Sequence, residues 1–164
     1  MDDDADFAAF YAACRPRLVT ILAALTGNLT EAEDVVQEAF TRALPRWGRL
    51  REYDDAEAWV YRVASNLARS RWRRSLRVVT DYGADTHRAA GELSPDRVAL
   101  VAALRALPLD QREALVLFHI ADLSVDDIAR RLELPAGTVK ARLSRGRRAM
   151  AQLLAPLDKV TAHD

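Results

Sequence analysis

LSVDDIARRLELPAGTVKARLSRGRR, from Leu123 to Arg148, is the stretch that decides the fold of this chain. Ser124 is a helix-capping residue and Asp127 follows three positions on, so a short helix is expected through Ile128, Ala129 and Leu132. Pro135 then introduces a longer helix, with Val139, Leu143, Met150 and Leu153 on its inner side. Two helices joined by so tight a turn follow the helix-turn-helix plan, in which the second helix lies in the DNA major groove. With Val139 and Leu143 turned towards Ile128, Ala129 and Leu132, the residues left on the outside are Lys140, Ala141, Ser144, Arg145, Arg147 and Arg148. Arg142 completes a run of five basic residues between Lys140 and Arg148. Arginine pairs bidentately with guanine, and lysine or arginine elsewhere grips phosphates. Thr138 stands near the helix N-terminus, where backbone N–H groups favour an anion.

The competing reading is an ordinary helical hairpin with a basic face. The cap, the small Ala129, the proline-led second helix and the basic run together argue against it. One residue departs from the pattern. Glu133 stands where such turns place glycine, because φ is positive there. Either Glu133 accepts a cost of about 1 kcal/mol or the turn differs. Gly146 costs about 1 kcal/mol against alanine in a helix interior, and permits close approach of a backbone or a phosphate.

Helical periodicity extends outward from this motif. Ser94-Pro95 caps a helix running to about Leu107, and Pro108 interrupts it. Asp110 and Glu113 open the next, with Leu115, Val116, Phe118 and Ile120 as apolar bulk. Near the N-terminus, Phe7, Phe10, Cys14, Leu18, Ile21, Leu22 and Leu25 form one helical stripe ended by Gly27-Asn28. Thr30 with Glu33 reads as a capping box for a second helix carrying Val36, Ala39, Phe40 and Ala43. A third begins near Asp55, carries Trp59, Val63 and Leu67, and runs into Arg69, Arg71, Arg73 and Arg74. The apolar period is lost over residues 76–94, where Gly83, Asp85, Thr86 and Gly91 cluster. That segment reads as a flexible linker, roughly 60 Å if extended and roughly 25 Å as a coil. No strand pattern competes. The expected fold is all-α: two small helical domains, residues 1–75 and 95–155, the second a helix-turn-helix, with a tail at 156–164.

Composition bounds the function. Half of the 164 residues are hydrophobic and 29% are charged, which suits a soluble globular chain. The single cysteine, Cys14, excludes an internal disulfide and reads as a small core residue. No apolar run approaches the roughly 20 residues of a membrane span, and the start, Met-Asp-Asp-Asp, is the opposite of a basic secretory signal. A cytoplasmic protein without membrane insertion is expected. Net charge is zero, but unevenly spread. Met1 to Phe40 carries eight acidic and two basic residues; Arg69 to Arg77 carries five arginines and no acid. Basic patches favour polyanions, although either one alone is equally a solvated helix face. No metal-ligand spacing, glycine-rich phosphate loop or nucleophile-base pair is visible, and His87, His119 and His163 are scattered. Neither an enzyme nor a cofactor or metal is expected.

Four stretches go beyond a generic helix-turn-helix. EAEDVVQEAFTRALPRW (Glu31 to Trp47) and AEAWVYRVASNLARSRWRR (Ala56 to Arg74) resemble region 2 of the extracytoplasmic function (ECF, group 4) sigma factors of bacterial RNA polymerase. LRALPLDQREALVLFHIADLSVDDIARRLELPAGTVKARLSRGRR (Leu104 to Arg148) resembles their region 4, and FAAFYAACRPRLV (Phe7 to Val19) resembles actinobacterial members. The resemblance implies an alternative sigma factor that binds core polymerase, through the β′ clamp and the β flap, and recognises the −10 and −35 promoter elements. It puts Asp34, Gln37, Glu38 and Arg42 on the face that docks on the clamp. It puts Asn66 beside the melted −10 strand, and Arg69, Arg71, Arg73 and Arg74 on phosphates there. The loop Leu50 to Asp55 matches the loop that pockets a flipped-out base. Tyr53 is either a stacking platform for that base or a plain exposed tyrosine. Base reading at −35 falls on Lys140, Ala141, Ser144 and Arg145, with Ala141 where members often have serine. Many members are held by an anti-sigma factor. A dimeric repressor or activator is the alternative; it accounts for the helix-turn-helix but not for the second arginine cluster or the polar Asp34–Arg42 face.

Overall fold

The computed structural model describes residues 2–78 and 94–158, which form two compact units. Every regular element among the described residues is a helix. Most of the linker, the end of the tail, His87 and His163 lie outside the described residues.

In the first unit, α1 (Asp3–Thr26) opens with Asp3, Asp4 and Asp6, a favourable charge for a helix N-terminus. It ends where Gly27 turns left-handed (φ 71°) and donates its N–H to the Ala23 carbonyl at 2.8 Å. The next cap is Asn28 rather than Thr30: Asn28 Oδ1 accepts the Glu31 N–H at 3.0 Å, and Thr30 already lies inside α2 (Leu29–Ala43). Asparagine ranks with the strongest capping residues, so it takes the position adjoining Gly27. A 3₁₀ turn at Leu44–Arg46, opened by Pro45, leads into α3 (Trp47–Leu50). α4 (Ala56–Val78) starts from Asp55, whose Oδ1 accepts the Ala58 N–H at 2.9 Å. It continues past the expected domain edge at residue 75.

α2 packs between α1 and α4. Leu18, Ile21, Leu22 and Leu25 of α1 meet Ala32, Val35, Val36, Ala39, Phe40 and Ala43 of α2. On α4 the buried stripe is Val60, Tyr61, Ala64 and Ala68. The expected stripe, Trp59, Val63 and Leu67, is half-buried instead. The smaller residues one position on admit the closer approach of α2, and Tyr61 supplies the bulk. Burial of a large apolar side chain such as Phe40 contributes about 1.5–3 kcal/mol. Phe40 also anchors an aromatic cluster with Phe7, Phe10, Tyr11 and Trp47, the closest rings being Phe10 and Trp47, stacked at 4.7 Å. α1 contains a window apolar enough, by length and composition, to cross a membrane, since a window admits charges that an uninterrupted run does not. Its apolar side is the face buried against α2 and α4.

The second unit comprises α5 (Pro95–Ala106), α6 (Leu109–His119), α7 (Val125–Leu132) and α8 (Ala136–Asp158). Ser94 Oγ caps α5 by accepting the Arg97 N–H at 3.4 Å. Buried Arg112 donates from Nη2 to the carbonyls of Arg105 (2.9 Å) and Leu107 (3.0 Å), which ties the end of α5 to α6. Burial, and secondly the charge of Arg105, pull the Arg112 pKa below its usual value. Ile128, Val139 and Leu143 fill the angle between α7 and α8. Two expected inner residues are outside: Ile120 is 42% and Leu153 44% exposed.

Candidate nucleic-acid and polymerase interfaces

The turn between α7 and α8 keeps the left-handed geometry, and Glu133 adopts it with φ 55° and ψ 48°. Leu134 N–H bonds the Ala129 carbonyl at 2.9 Å and Glu133 N–H that of Arg130 at 3.3 Å, the paired bonds of a Schellman close. At the other end of α7, Ser124 Oγ accepts the Asp127 N–H at 3.1 Å, and the Ser124 hydroxyl donates to Asp127 Oδ2 at 2.8 Å. That hydroxyl, followed by Arg130, holds the Asp127 carboxyl below the usual carboxylate range. α7 is thus fixed at both ends, and α8 leaves it at a defined angle.

Lys140, Ser144, Arg145, Arg147 and Arg148 are exposed on α8, while Thr138 and Ala141 are half-covered. Thr138, Ala141 and Arg145 line one side of a groove of about 500 Å³, whose other side is Pro108, Asp110 and Gln111 of the α6 start. Arg142 departs from the rest of its run. Its Nη2 lies 3.8 Å from Asp110 Oδ2 and its side chain is only 23% exposed, so it leans on α6. The Arg147 guanidinium sits 5.1 Å from the centre of the Phe118 ring, a cation–π contact. Gly146 is buried against Leu115 and the Gln111 carbonyl. Its close neighbours are thus the Leu115 side chain and, a little farther, the Gln111 backbone carbonyl of α6.

In the first unit, Asp34, Gln37, Glu38 and Arg42 share one side of α2. Arg42 Nε bonds Glu38 Oε1 at 2.9 Å. Two residues that periodicity did not single out join this face. Tyr11 of α1 donates its hydroxyl to Gln37 Oε1 at 2.9 Å. Arg71 of α4, read as a phosphate contact, lies 3.7 Å from Asp34 Oδ2. Asn66, Arg73 and Arg74 are exposed along α4 and Arg69 is half-buried; Arg74 Nη2 donates to Ser70 Oγ at 3.1 Å. Tyr53 is 54% exposed, on a loop folded back by the Arg51, Glu52 and Tyr53 N–H groups bonding the carbonyls of Trp47, Arg49 and Leu50. Trp72 is 47% exposed. Cys14 is half-buried; burial first, then Glu57, push its thiol up to about 12. No cluster suited to a metal ion occurs among the described residues.

Two family models match this chain: Sigma-70 region 2 over residues 10–78 and Sigma-70, region 4 over residues 97–150. The ECF RNA polymerase sigma factor EcfG of Rhodopseudomonas palustris is 33% identical across 85% of this chain and 80% of its own length. The ECF sigma factor SigW of Bacillus subtilis is 31% identical across 95% and 92%. SigM of Mycobacterium tuberculosis is 35% identical across 84% and 71%. The chain belongs to the ECF sigma factors. It is an alternative sigma factor, which directs promoter-specific initiation of transcription. Among solved structures, the sigma factor RpoE in complex with the anti-sigma factor NepR from Bartonella quintana superposes with a TM-score of 0.76, at 28% identity over 92% of this chain and 97% of that one. CnrH in complex with the cytosolic domain of CnrY gives 0.66 at 25% identity, over 92% and 88%. Similarity to this sigma factor spans relatives from Mycobacterium tuberculosis, Bacillus subtilis and Rhodopseudomonas palustris, so it is broader than the actinobacterial likeness of Phe7 to Val19.

Proposed function

We propose the following division of labour. α8 reads the −35 element: Lys140, Ala141, Ser144 and Arg145 face base edges, and Thr138, Arg147 and Arg148 hold phosphates. Arg142 acts on DNA only as a secondary phosphate contact, because Asp110 already engages it. The first unit docks on the β′ clamp through Asp34, Gln37, Glu38 and Arg42. It engages the −10 element through Tyr53, Asn66, Arg69, Arg71, Arg73 and Arg74. The second unit meets the β flap. The protein works in the cytoplasm as a non-enzymatic subunit, and an anti-sigma factor restrains it, as the two solved relatives with bound partners suggest.

The observation that carries this reading is the exposed row Lys140, Ser144, Arg145 and Arg148 on a helix fixed by a left-handed Glu133 turn. Such a row presents both donors for base edges and charge for phosphates. The test is promoter binding and run-off transcription on genomic DNA, with and without core polymerase. Tight, sequence-dependent binding should need core polymerase. Nanomolar sequence-specific binding by the free chain would favour a repressor.

A further inference from the structure

The first turn of α1 touches the start of the loop read above as the −10 base reader. Asp3 Oδ1 lies 2.6 Å from Arg51 Nη1, and Asp6 Oδ2 lies 3.9 Å from the same atom. Asp6 Oδ2 also accepts the indole N–H of Trp47 at 3.2 Å. These contacts join positions more than forty residues apart in the chain. Trp47 is buried, and its ring lies against Phe7 and Phe10 of the same α1 turns, 5.4 and 4.7 Å between centres. The loop is built directly on this platform: Arg51 N–H bonds the Trp47 carbonyl at 3.0 Å, and Tyr53 N–H bonds that of buried Leu50 at 3.0 Å.

We propose that Asp3 and Asp6 are positioning residues for promoter melting, orienting loop 51–55 through Trp47 and Arg51 and withholding the Arg51 charge from the DNA backbone. Two physical consequences follow. A loop pinned at its first residue presents Tyr53 in a narrower range of orientations, so it discriminates better among flipped-out bases. A guanidinium engaged by two carboxylates does not seek a phosphate. An arginine free beside single-stranded DNA would add binding that is blind to sequence. The acidic turn therefore suppresses affinity and raises selectivity. The inference rests on the assignment of loop 51–55 to the −10 element.

The experiment uses holoenzyme reconstituted with core polymerase, a promoter library randomised at −10, and open-complex formation measured at several salt concentrations. Asp3→Asn with Asp6→Asn should flatten base preference at the most selective −10 position severalfold. It should also steepen the salt dependence by about 0.7 in log–log slope, the value for one added single-strand phosphate contact. Adding Arg51→Gln should return the slope to wild type while leaving base preference flat. Asp3→Glu with Asp6→Glu should retain most of the wild-type selectivity. Thermal unfolding of each variant separates loss of the fold from loss of positioning. Unchanged base preference and slope in a folded Asn variant would overturn the inference and leave the functional reading standing. A wild-type holoenzyme blind to the −10 sequence would overturn both.

Discussion

Gly146→Ala tests whether α8 sits where the packing puts it, and the sign of the effect is set by two opposed magnitudes. In an open helix the change would stabilise by about 1 kcal/mol, the propensity gap between glycine and alanine. Here the new Cβ would stand 3.0 Å from Leu115 Cδ1, 3.1 Å from Leu115 Cγ and 3.4 Å from the Gln111 carbonyl oxygen. Leu115 is 6% exposed in the middle of α6, so its Cγ moves only by leaving a helical rotamer or by shifting the helix. Overpacking of that kind costs about 1–3 kcal/mol. The net expectation is destabilisation of the second unit by about 1 kcal/mol. The tryptophans, Trp47, Trp59 and Trp72, all belong to the first unit. Fluorescence in a urea titration therefore reports that unit, and far-UV circular dichroism reports both. The fluorescence midpoint should stay, and the dichroism of the second unit should shift to lower urea. In a Leu115→Ala background the clash is gone, and Gly146→Ala should turn neutral or stabilising, a coupling of roughly 1–3 kcal/mol. A stabilised Gly146→Ala single variant would refute the close approach of α8 to α6.

Arg145→Ala should cost roughly 1–3 kcal/mol at the preferred −35 sequence and relax one base there, whereas Arg148→Ala should weaken all sequences alike and lower the salt slope by about one unit; holoenzyme binding to a −35 library at several salt concentrations distinguishes them. Equal losses across the library for Arg145→Ala would demote it to a backbone contact. Asp34→Arg with Glu38→Arg should abolish co-purification with core polymerase while each change moves stability by no more than about 0.5 kcal/mol, both residues lying on the α2 surface; retention at wild-type levels would put the docking face elsewhere. The Cys14 thiol, held near 12 against an ordinary 9.0, should react with maleimide at pH 8 on the order of a thousandfold more slowly in the native chain than in urea. Because its native pKa is raised, the stability it contributes is present below about 9 and is lost as pH rises towards 12. Fast labelling of the native protein would show that the site is open.

The helix-turn-helix was legible because its signals are local: a cap at Ser124, a proline at Pro135 and a fixed turn length leave few alternatives. Even the misfit was informative, since Glu133 occupies the left-handed site that its place in the turn demanded. Elements whose faces depend on a partner were read less well. On α4, Trp59, Val63 and Leu67 have the same helical spacing as Val60, Ala64 and Ala68, and periodicity alone prefers the larger residues. Only α2, lying close above, decides for the alanines. Likewise Asn28 and Thr30 are both good caps, and the choice is settled by where Gly27 ends α1. On the candidate surfaces, the exposed positions of α8 followed from the buried ones. The side chains that join those surfaces to distant segments, Asp3, Asp6 and Tyr11, carry no sequence signal, since an acidic helix start and a solvent-side tyrosine are ordinary.

The zero net charge of a DNA-binding protein has a structural form in these contacts. Arg51 faces Asp3 and Asp6, Arg71 faces Asp34, and Arg142 faces Asp110, so arginines of both units meet carboxylates of the same unit. Pairs this exposed contribute about 0–1 kcal/mol each. For Arg71 and Arg142, each facing a single carboxylate, that is enough to tie up a guanidinium in the free chain, and too little to keep it from several phosphates presented together. The Asp34–Arg71 pair adds a direction to this exchange. Asp34 lies on the proposed polymerase face and Arg71 on the proposed −10 face, so a polymerase cation that takes Asp34 leaves Arg71 free for DNA. By linkage, whatever polymerase docking gives to DNA binding through that pair, DNA binding returns to polymerase docking. A pair worth at most about 1 kcal/mol limits this coupling to roughly fivefold. It therefore tunes the order of assembly, and on the proposed reading the main part of promoter affinity comes from the other −10 and −35 contacts and from core polymerase itself.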